Sequence, residues 1–255
     1  MWLSANLGFL FTDLSLPEAI RTAKAQGFDA VECHFPFDQP EAEVSAALKE
    51  TGLPMLGLNT WLGDRAGGDF GLCALPDRRE EARAAIDQAI AYARKIGCGA
   101  VHVMAGRTDG AAEAEACFRE ALSYACATAP DLTILIEPLN YRDVPGYHLV
   151  HMDHAARIID DLGQANLRIM YDLYHTQIMR GDLTGQFTVH RDRIGHIQIA
   201  SAPDRGEPGQ GEVDLLWLCR WLEGEGWHRP IGAEYKPRQG ETLAGLGWMT
   251  AFKDQ

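Results

Sequence analysis

Four polar residues stand at the ends of apolar runs in the C-terminal half of the chain. They are Glu137 in Ile136-Glu137-Pro138, Asp172 in Tyr171-Asp172-Leu173, Gln198 in Ile197-Gln198-Ile199 and Glu234 in Ala233-Glu234-Tyr235. Their separations are 35, 26 and 36 residues, each close to one interval. Taken singly, each could be a solvated or ion-paired residue. Brought together, three carboxylates and an amide oxygen would repel one another without a counter-charge, and a divalent cation resolves that. All-oxygen donors suit hard or borderline ions such as Mg²⁺ or Mn²⁺, and the absence of Cys from the set argues against structural zinc.

Other residues in the same stretches are candidate substrate contacts. His175 follows Asp172 by three and is either a hydrogen-bond donor to substrate or a residue packed in the wall. Arg205 lies in the Gly/Pro-rich segment Ala202-Pro203-Asp204-Arg205-Gly206-Glu207-Pro208-Gly209. It could grip a carboxylate bidentately or brace its loop through Asp204 or Glu207. Lys236, two residues beyond Glu234, would face the same way on a strand and add positive charge, or form a plain ion pair. Asn59, which closes one earlier apolar run, and His102, which lies within another, are further candidates. His34 reads as a satisfied core histidine at the pocket border. His148, His151 and His154, spaced by three, resemble a metal cluster but read as solvent-facing.

These residues converge only if the elements carrying them repeat. Apolar β-type runs recur at Leu3 to Phe9, Ala30 to His34, Met55 to Asn59, Ala100 to Met104, Thr133 to Glu137, Leu167 to Asp172, Gly195 to Ile199 and Ile231 to Glu234. Between them, apolar residues recur at spacings of three and four, as in Ile86, Ile90 and Ala93, or Leu215, Leu218 and Leu222, which predicts helices. Gly27, Gly52, Gly97, Gly163 and Gly226 punctuate the expected helix ends. Continuously apolar strands such as Leu132-Thr133-Ile134-Leu135-Ile136 imply a parallel sheet covered on both faces.

Eight β-α units of about 32 residues predict one closed (β/α)8 TIM barrel over residues 1–255, with its active site at the strand C-termini. The longest irregular stretches, 60–77, 140–151 and 201–214, all follow such ends. An open doubly wound sheet is disfavoured because Asn6-Leu7-Gly8-Phe9 is not the glycine-rich phosphate loop that usually follows its first strand.

Composition narrows the partners. The 255 residues are 46% hydrophobic and 23% charged, with a net charge of −13, so a large core can form and general nucleic-acid binding is disfavoured. No apolar run reaches the roughly 18 residues of a membrane helix, and Met1-Trp2-Leu3-Ser4-Ala5-Asn6 lacks the pattern of an export signal. Six scattered cysteines without a C-x-x-C pair are not a disulfide framework. A cytoplasmic protein acting without membrane or nucleic acid is expected. Barrels of this kind often associate, so a homo-oligomer is compatible with the sequence, although no stripe identifies an interface.

The ordered set Ser4-Ala5-Asn6, Ile136-Glu137-Pro138, Gly146-Tyr147-His148, Tyr171-Asp172-Leu173-Tyr174-His175, Gly195-His196-Ile197-Gln198-Ile199-Ala200, Arg205-Gly206-Glu207-Pro208-Gly209 and Glu234-Tyr235-Lys236-Pro237 resembles the hydroxypyruvate isomerase family. That family belongs to the xylose isomerase-like barrels, alongside endonuclease IV and the ketose 3-epimerases. The resemblance spans essentially the whole chain. It implies that Glu137 and Glu234 are the proton-transfer pair, and that Glu137, Asp172, Gln198 and Glu234 bind a divalent metal, Mg²⁺ or Mn²⁺. By similarity to the epimerases, His175 and Arg205 would contact substrate oxygens.

Two positions depart from the epimerase pattern. Gln198 replaces a ligating His, as in the hydroxypyruvate isomerase branch, and Asp143 replaces a second Glu six residues beyond Glu137. The implied reaction interconverts hydroxypyruvate and tartronate semialdehyde (2-hydroxy-3-oxopropanoate) by proton transfer between adjacent carbons through an enediolate. The alternatives are a 2-oxo-tetronate isomerase, a ketose 3-epimerase, a barrel that binds a sugar acid without turnover and, against the charge, a hydrolase resembling endonuclease IV.

Overall fold

The computed structural model describes residues 1–253. Its strands are β1 (Leu3–Asn6), β2 (Ala30–Glu32), β3 (Leu58–Asn59), β4 (Ala100–His102), β5 (Thr133–Ile136), β6 (Leu167–Asp172), β7 (Ile194–Ile199) and β8 (Ile231–Ala233). They form one eight-stranded sheet in the order β2-β1-β8-β7-β6-β5-β4-β3, and the strand pairings within it are parallel. The ends of that order meet where Val31 bridges Met55 in parallel and the Cys33 amide donates to the Gly57 carbonyl at 3.1 Å. The sheet thus curls almost shut, with no long unpaired edge.

Helices cross between the strands: α1 (Leu16–Ala25), α2 (Glu41–Thr51), α3 (Arg79–Ile96), α4 (Ala112–Thr128) and α5 (Met152–Leu162). The β6–β7 connection carries two, α6 (Leu173–Met179) and α7 (Leu183–His190), followed by α8 (Leu215–Gly224), α9 (Thr242–Gly245) and α10 (Trp248–Lys253). In α3 the predicted stripe Ile86, Ile90 and Ala93 is buried, which supplies the outer shell of the core. Gly97 closes that helix at φ 72°, a left-handed conformation that costs glycine nothing sterically. All six cysteines are free and buried. Among the described residues no helix is long and apolar enough to cross a membrane.

Side-chain alternation stacks the barrel interior in layers. Ala100, Leu135 and Met170 pack together as a separate apolar cluster. Two residues further along each chain come His102, Glu137 and Asp172, all buried. The polar layer therefore lies one step above an apolar floor.

Above the mouth, the loop after β3 is pressed against the loop after β4. Gly71 bridges Ala105, and a Cβ on Gly106 would lie 2.5 Å from the Gly71 carbonyl oxygen. Gly106 also holds φ 104°. Backbone cannot step aside as a side chain can, so Gly106→Ala should combine strain with a clash and cost about 2–3 kcal/mol. Gly110→Ala, at φ 77° with nothing within 4 Å of the new Cβ, should cost only about 1–2 kcal/mol. Denaturant melts of both variants check this, and equal losses would mean that the two loops are not locked together here.

Candidate active site

The four strand-end residues enter the mouth from consecutive strands. Glu137 follows β5, Asp172 ends β6, Gln198 lies in β7 opposite Asp172 in register, and Glu234 follows β8. One side-chain ligand atom each from Glu137, Asp172, His175 and Glu234 lies within 4.8 Å of all the others, and all four residues are buried. Glu137, His175 and Glu234 line a cleft of about 150 Å³ together with Asn59, His102 and Arg205, while Asp172 and Gln198 are not part of its lining. Lys236 does not line it: β8 ends at Ala233, so the two-residue alternation does not carry beyond Glu234, and Lys236 is exposed. Its backbone amide donates to the Arg205 carbonyl at 2.7 Å.

Local structure fixes each group. Asp172 caps α6, its Oδ1 accepting from the Tyr174 amide at 2.7 Å, which leaves Oδ2 for the cleft. Asn140 Oδ1 accepts from the Asp143 amide at 2.8 Å, so its NH₂ must face His175 Nδ1, 2.8 Å away. The Asn140 backbone N–H donates to the same nitrogen at 3.0 Å. His175 Nδ1 is therefore an acceptor, and in the neutral ring the proton sits on Nε2. That Nε2–H lies 3.9 Å from Glu137 and 3.6 Å from Asp172. His175 is thereby set up as a donor rather than a metal ligand.

Glu234 is the well-partnered carboxylate. Its Oε1 accepts from Asn6 Nδ2 and His34 Nε2, each at 2.9 Å, and its Oε2 from Arg205 at 2.6 Å. Burial alone would raise its carboxyl, but Arg205 and His34 outweigh burial and hold it at about 2. Glu137 is the opposite case, since burial, reinforced by the charges of Glu234 and Asp172, pushes it well above the usual carboxylate range. Burial likewise raises Asp172 to about 7 against the pull of Arg205. Burial also depresses His102 to about 4 and His175 well below its ordinary value. In the metal-free protein the surroundings therefore pull the two glutamates in opposite directions, Glu137 up and Glu234 down.

Arg205 is not braced by Asp204 or Glu207. Both of those pair with Arg238, at 2.7 Å each. Arg205 is itself buried at φ 57°, with its guanidinium stacked over Phe9 and Tyr174. It points into the acid cluster, 3.4 Å from Asp143, 3.6 Å from Asp172 and 2.6 Å from Glu234.

The donor set fits a divalent cation. Glu137 Oε1, Asp172 Oδ2 and Gln198 Oε1 are buried oxygens without a hydrogen-bond partner, and an unmatched buried polar atom costs about 1–3 kcal/mol. A hard ion would satisfy all three.

His34, read as a core histidine at the pocket border, does border the cleft and holds Glu234. Two further residues shape the site without having stood out in the sequence. Arg65 lines the cleft from the loop after β3. Glu32 accepts from Gln198 Nε2 at 3.2 Å beneath it. The Val-Glu step of β2 carried no spacing signal that could have found Glu32. His148 and His154 also differ from expectation, since both donate to Glu115 Oε2 at 2.9 Å, and the His148 side chain is only 3% exposed. His151 alone of the three is exposed.

The raised carboxyl of Glu137 has a consequence for the metal-stripped protein. A folded-state pKa above the unfolded one means stability that is present below about pH 4.5 and lost as pH rises toward the folded value. Glu137→Gln should therefore melt higher than wild type at pH 8, by about 2–4 °C per kcal/mol relieved, and equally at pH 4.5. Melting curves in chelator check this. A variant less stable at pH 8 would show that the carboxylate is satisfied by its surroundings.

Comparison with known proteins agrees with this geometry. Residues 20–252 match the family model described as xylose isomerase-like TIM barrel. The hydroxypyruvate isomerase of Escherichia coli (strain K12) is 39% identical over 255 residues, covering 98% of each chain. The 2-oxo-tetronate isomerase of Cupriavidus necator is 40% identical over 98% of this chain and 97% of its own. A crystal structure described as an AP endonuclease of family 2 from Brucella melitensis superimposes with a TM-score of 0.93 at 37% identity, covering 99% of both chains. An eight-stranded parallel barrel with its acidic cluster at the strand C-termini, matched along nearly its whole length by named isomerases, makes this chain an isomerase of the xylose isomerase-like TIM barrel family.

Proposed function

We propose that this isomerase interconverts hydroxypyruvate and tartronate semialdehyde, with Glu137 and Glu234 as its proton-transfer pair. The observation that carries the reading is the placement of two buried glutamates, one following β5 and one following β8, with side-chain oxygens within 4.8 Å of each other in one cluster at the strand ends. Isomerisation needs both, because a base must take the C–H proton beside a carbonyl while an acid supplies the neighbouring carbon.

One of the two glutamates takes the proton from C3 of hydroxypyruvate as the base, and the other delivers a proton to C2 as the acid. The hydroxyl proton passes from the C3 oxygen to the C2 oxygen, and the resulting enediol-type charge lies beside His175 Nε2–H, a neutral donor aimed at the cleft. The reverse reaction exchanges the roles of the two glutamates. Glu137, Asp172, Gln198 and Glu234 are the residues that would hold Mg²⁺ or Mn²⁺. Such an ion, when bound, supplies Lewis-acid stabilisation of negative charge on the substrate oxygens.

The substrate's carboxylate needs positive charge in an acidic protein. Arg205 is shared among three acids, so Arg65 at the rim adds a second cation. His102 and Asn59, 3.3 Å apart through Nδ1 and Oδ1, complete the polar wall on the β3–β4 side.

A four-carbon 2-oxo-tetronate is the second reading. A neighbouring hollow of about 340 Å³ shares Gly8, His34, Phe35 and Arg65 with the cleft, which gives room for one more hydroxymethyl group. An endonuclease reading is disfavoured by the net charge of −13, which repels a phosphate backbone.

Assay of purified, Mn²⁺-supplemented protein with hydroxypyruvate and with 2-oxo-tetronates should give the higher kcat/KM for hydroxypyruvate. A clear preference for the tetronate would reassign the substrate. Glu137→Gln and Glu234→Gln should each lower kcat by about 10²–10⁴-fold while remaining folded. Near-wild-type turnover by either variant would refute the two-glutamate assignment.

A further inference from the structure

One buried acid in the barrel has no place in the chemistry above. Glu32 ends β2, is 3% exposed, and makes no ion pair with Lys or Arg among the described residues. Its side chain reaches toward β7 past β8, where Gly232 leaves a gap. A Cβ on Gly232 would stand only 2.0 Å from Glu32 Oε1. On the far side Glu32 Oε2 accepts two hydrogen bonds, from His196 Nε2 at 2.7 Å and from Gln198 Nε2 at 3.2 Å.

The second bond settles an ambiguity. A glutamine side chain offers an oxygen at one end and an NH₂ at the other, of nearly the same shape. Only the oxygen can ligate a cation. A carboxylate accepts and does not donate, so with Glu32 beneath it Gln198 must turn its NH₂ down and its Oε1 up. That Oε1 is buried and without a partner, on the residue in register with Asp172, whose Oδ2 is likewise unpartnered.

We propose that Glu32 is a positioning residue, which holds the Gln198 amide in the orientation that presents oxygen to the cation site. The proposal rests on the reading of Gln198 as a ligand. In this role Glu32 acts on the site through Gln198. His196, donating to the same oxygen, keeps the carboxylate pointed at its target. Gly232 belongs to the device because any side chain there would displace Glu32.

The test is a double-mutant cycle on the full chain, read by Mn²⁺ affinity in calorimetry and by melting temperature. Glu32→Gln preserves shape but can offer an NH₂ upward, so Gln198 is free to flip. Mn²⁺ should bind about 10–100-fold more weakly, with the melting temperature held. In a Gln198→Glu background, where either end of the side chain is oxygen, Glu32→Gln should no longer weaken Mn²⁺ binding, and relief of the Glu–Glu repulsion should strengthen it. Gly232→Ala should weaken binding in the same direction as Glu32→Gln by pushing Glu32 aside.

Equal loss of affinity in both backgrounds, or a fall in melting temperature that parallels the loss, would overturn the positioning role. If Gln198→Leu binds Mn²⁺ as wild type does, it is the ligand assignment of Gln198 that fails, and Glu32's role fails with it. An effect of Gln198→Leu without an effect of Glu32→Gln overturns the role of Glu32 alone.

Discussion

Negative charge that has to be buried governs this molecule. Glu137, Asp172 and Glu234 reach the mouth of a barrel whose walls are closed by packing, where water can compensate little of their mutual repulsion. Arg205 is the one guanidinium placed among them, and it is held there by features that favour no other position. Phe9 and Tyr174 cover its faces, the Lys236 amide fixes its carbonyl, and its backbone takes a left-handed conformation that an arginine rarely adopts. A single cation cannot neutralise three carboxylates. Burial, reinforced by the remaining negative charge, raises the carboxyls of Glu137 and Asp172, and some of their oxygens are left without partners.

Neutral neighbours settle what the charges leave open. Asn140 decides which nitrogen of His175 carries its proton, and the Asp143 amide decides which way Asn140 points. The same logic, in which one group of fixed polarity orients the next, runs from a backbone amide out to the cleft. Each bond in such a chain excludes the flipped alternative, and the chain ends in a buried donor, His175 Nε2–H, that has no partner of its own.

Much of the fold was legible in the sequence, because burial on both faces makes parallel strands uniformly apolar and the repeat length sets their number. The run Leu167 to Asp172 is β6 to the residue. The run from Met55 shrinks to Leu58–Asn59, because Met55 forms only a single bridge across the seam of the barrel. The strand-end acids were legible for the same geometric reason. Contacts that cross the barrel were not. Glu32 meets Gln198 over a separation of 166 residues, and His34 meets Glu234 over 200, and no local pattern records either. Arg205 and Arg238 illustrate the limit most simply. Arg205 could be read either as a substrate contact or as a brace for its own loop; the arginine from the next loop takes the bracing role, and Arg205 turns inward.

The chain contains a second meeting of acid and imidazole, and comparing the two shows what makes a site. Glu115 sits with His148 and His154, the same residue types within the same distances. There burial raises the carboxyl, but Arg119 and the two histidines outweigh it and bring Glu115 to about 2. Each of its oxygens has a donor, so the group is complete and ties α4 to the segment leading into α5. At the mouth the equivalent oxygens of Glu137 and Asp172 have none. Residue type and proximity are alike in both places; the difference is the unmet bonding capacity, which at the mouth costs the folded protein stability and is open to a ligand.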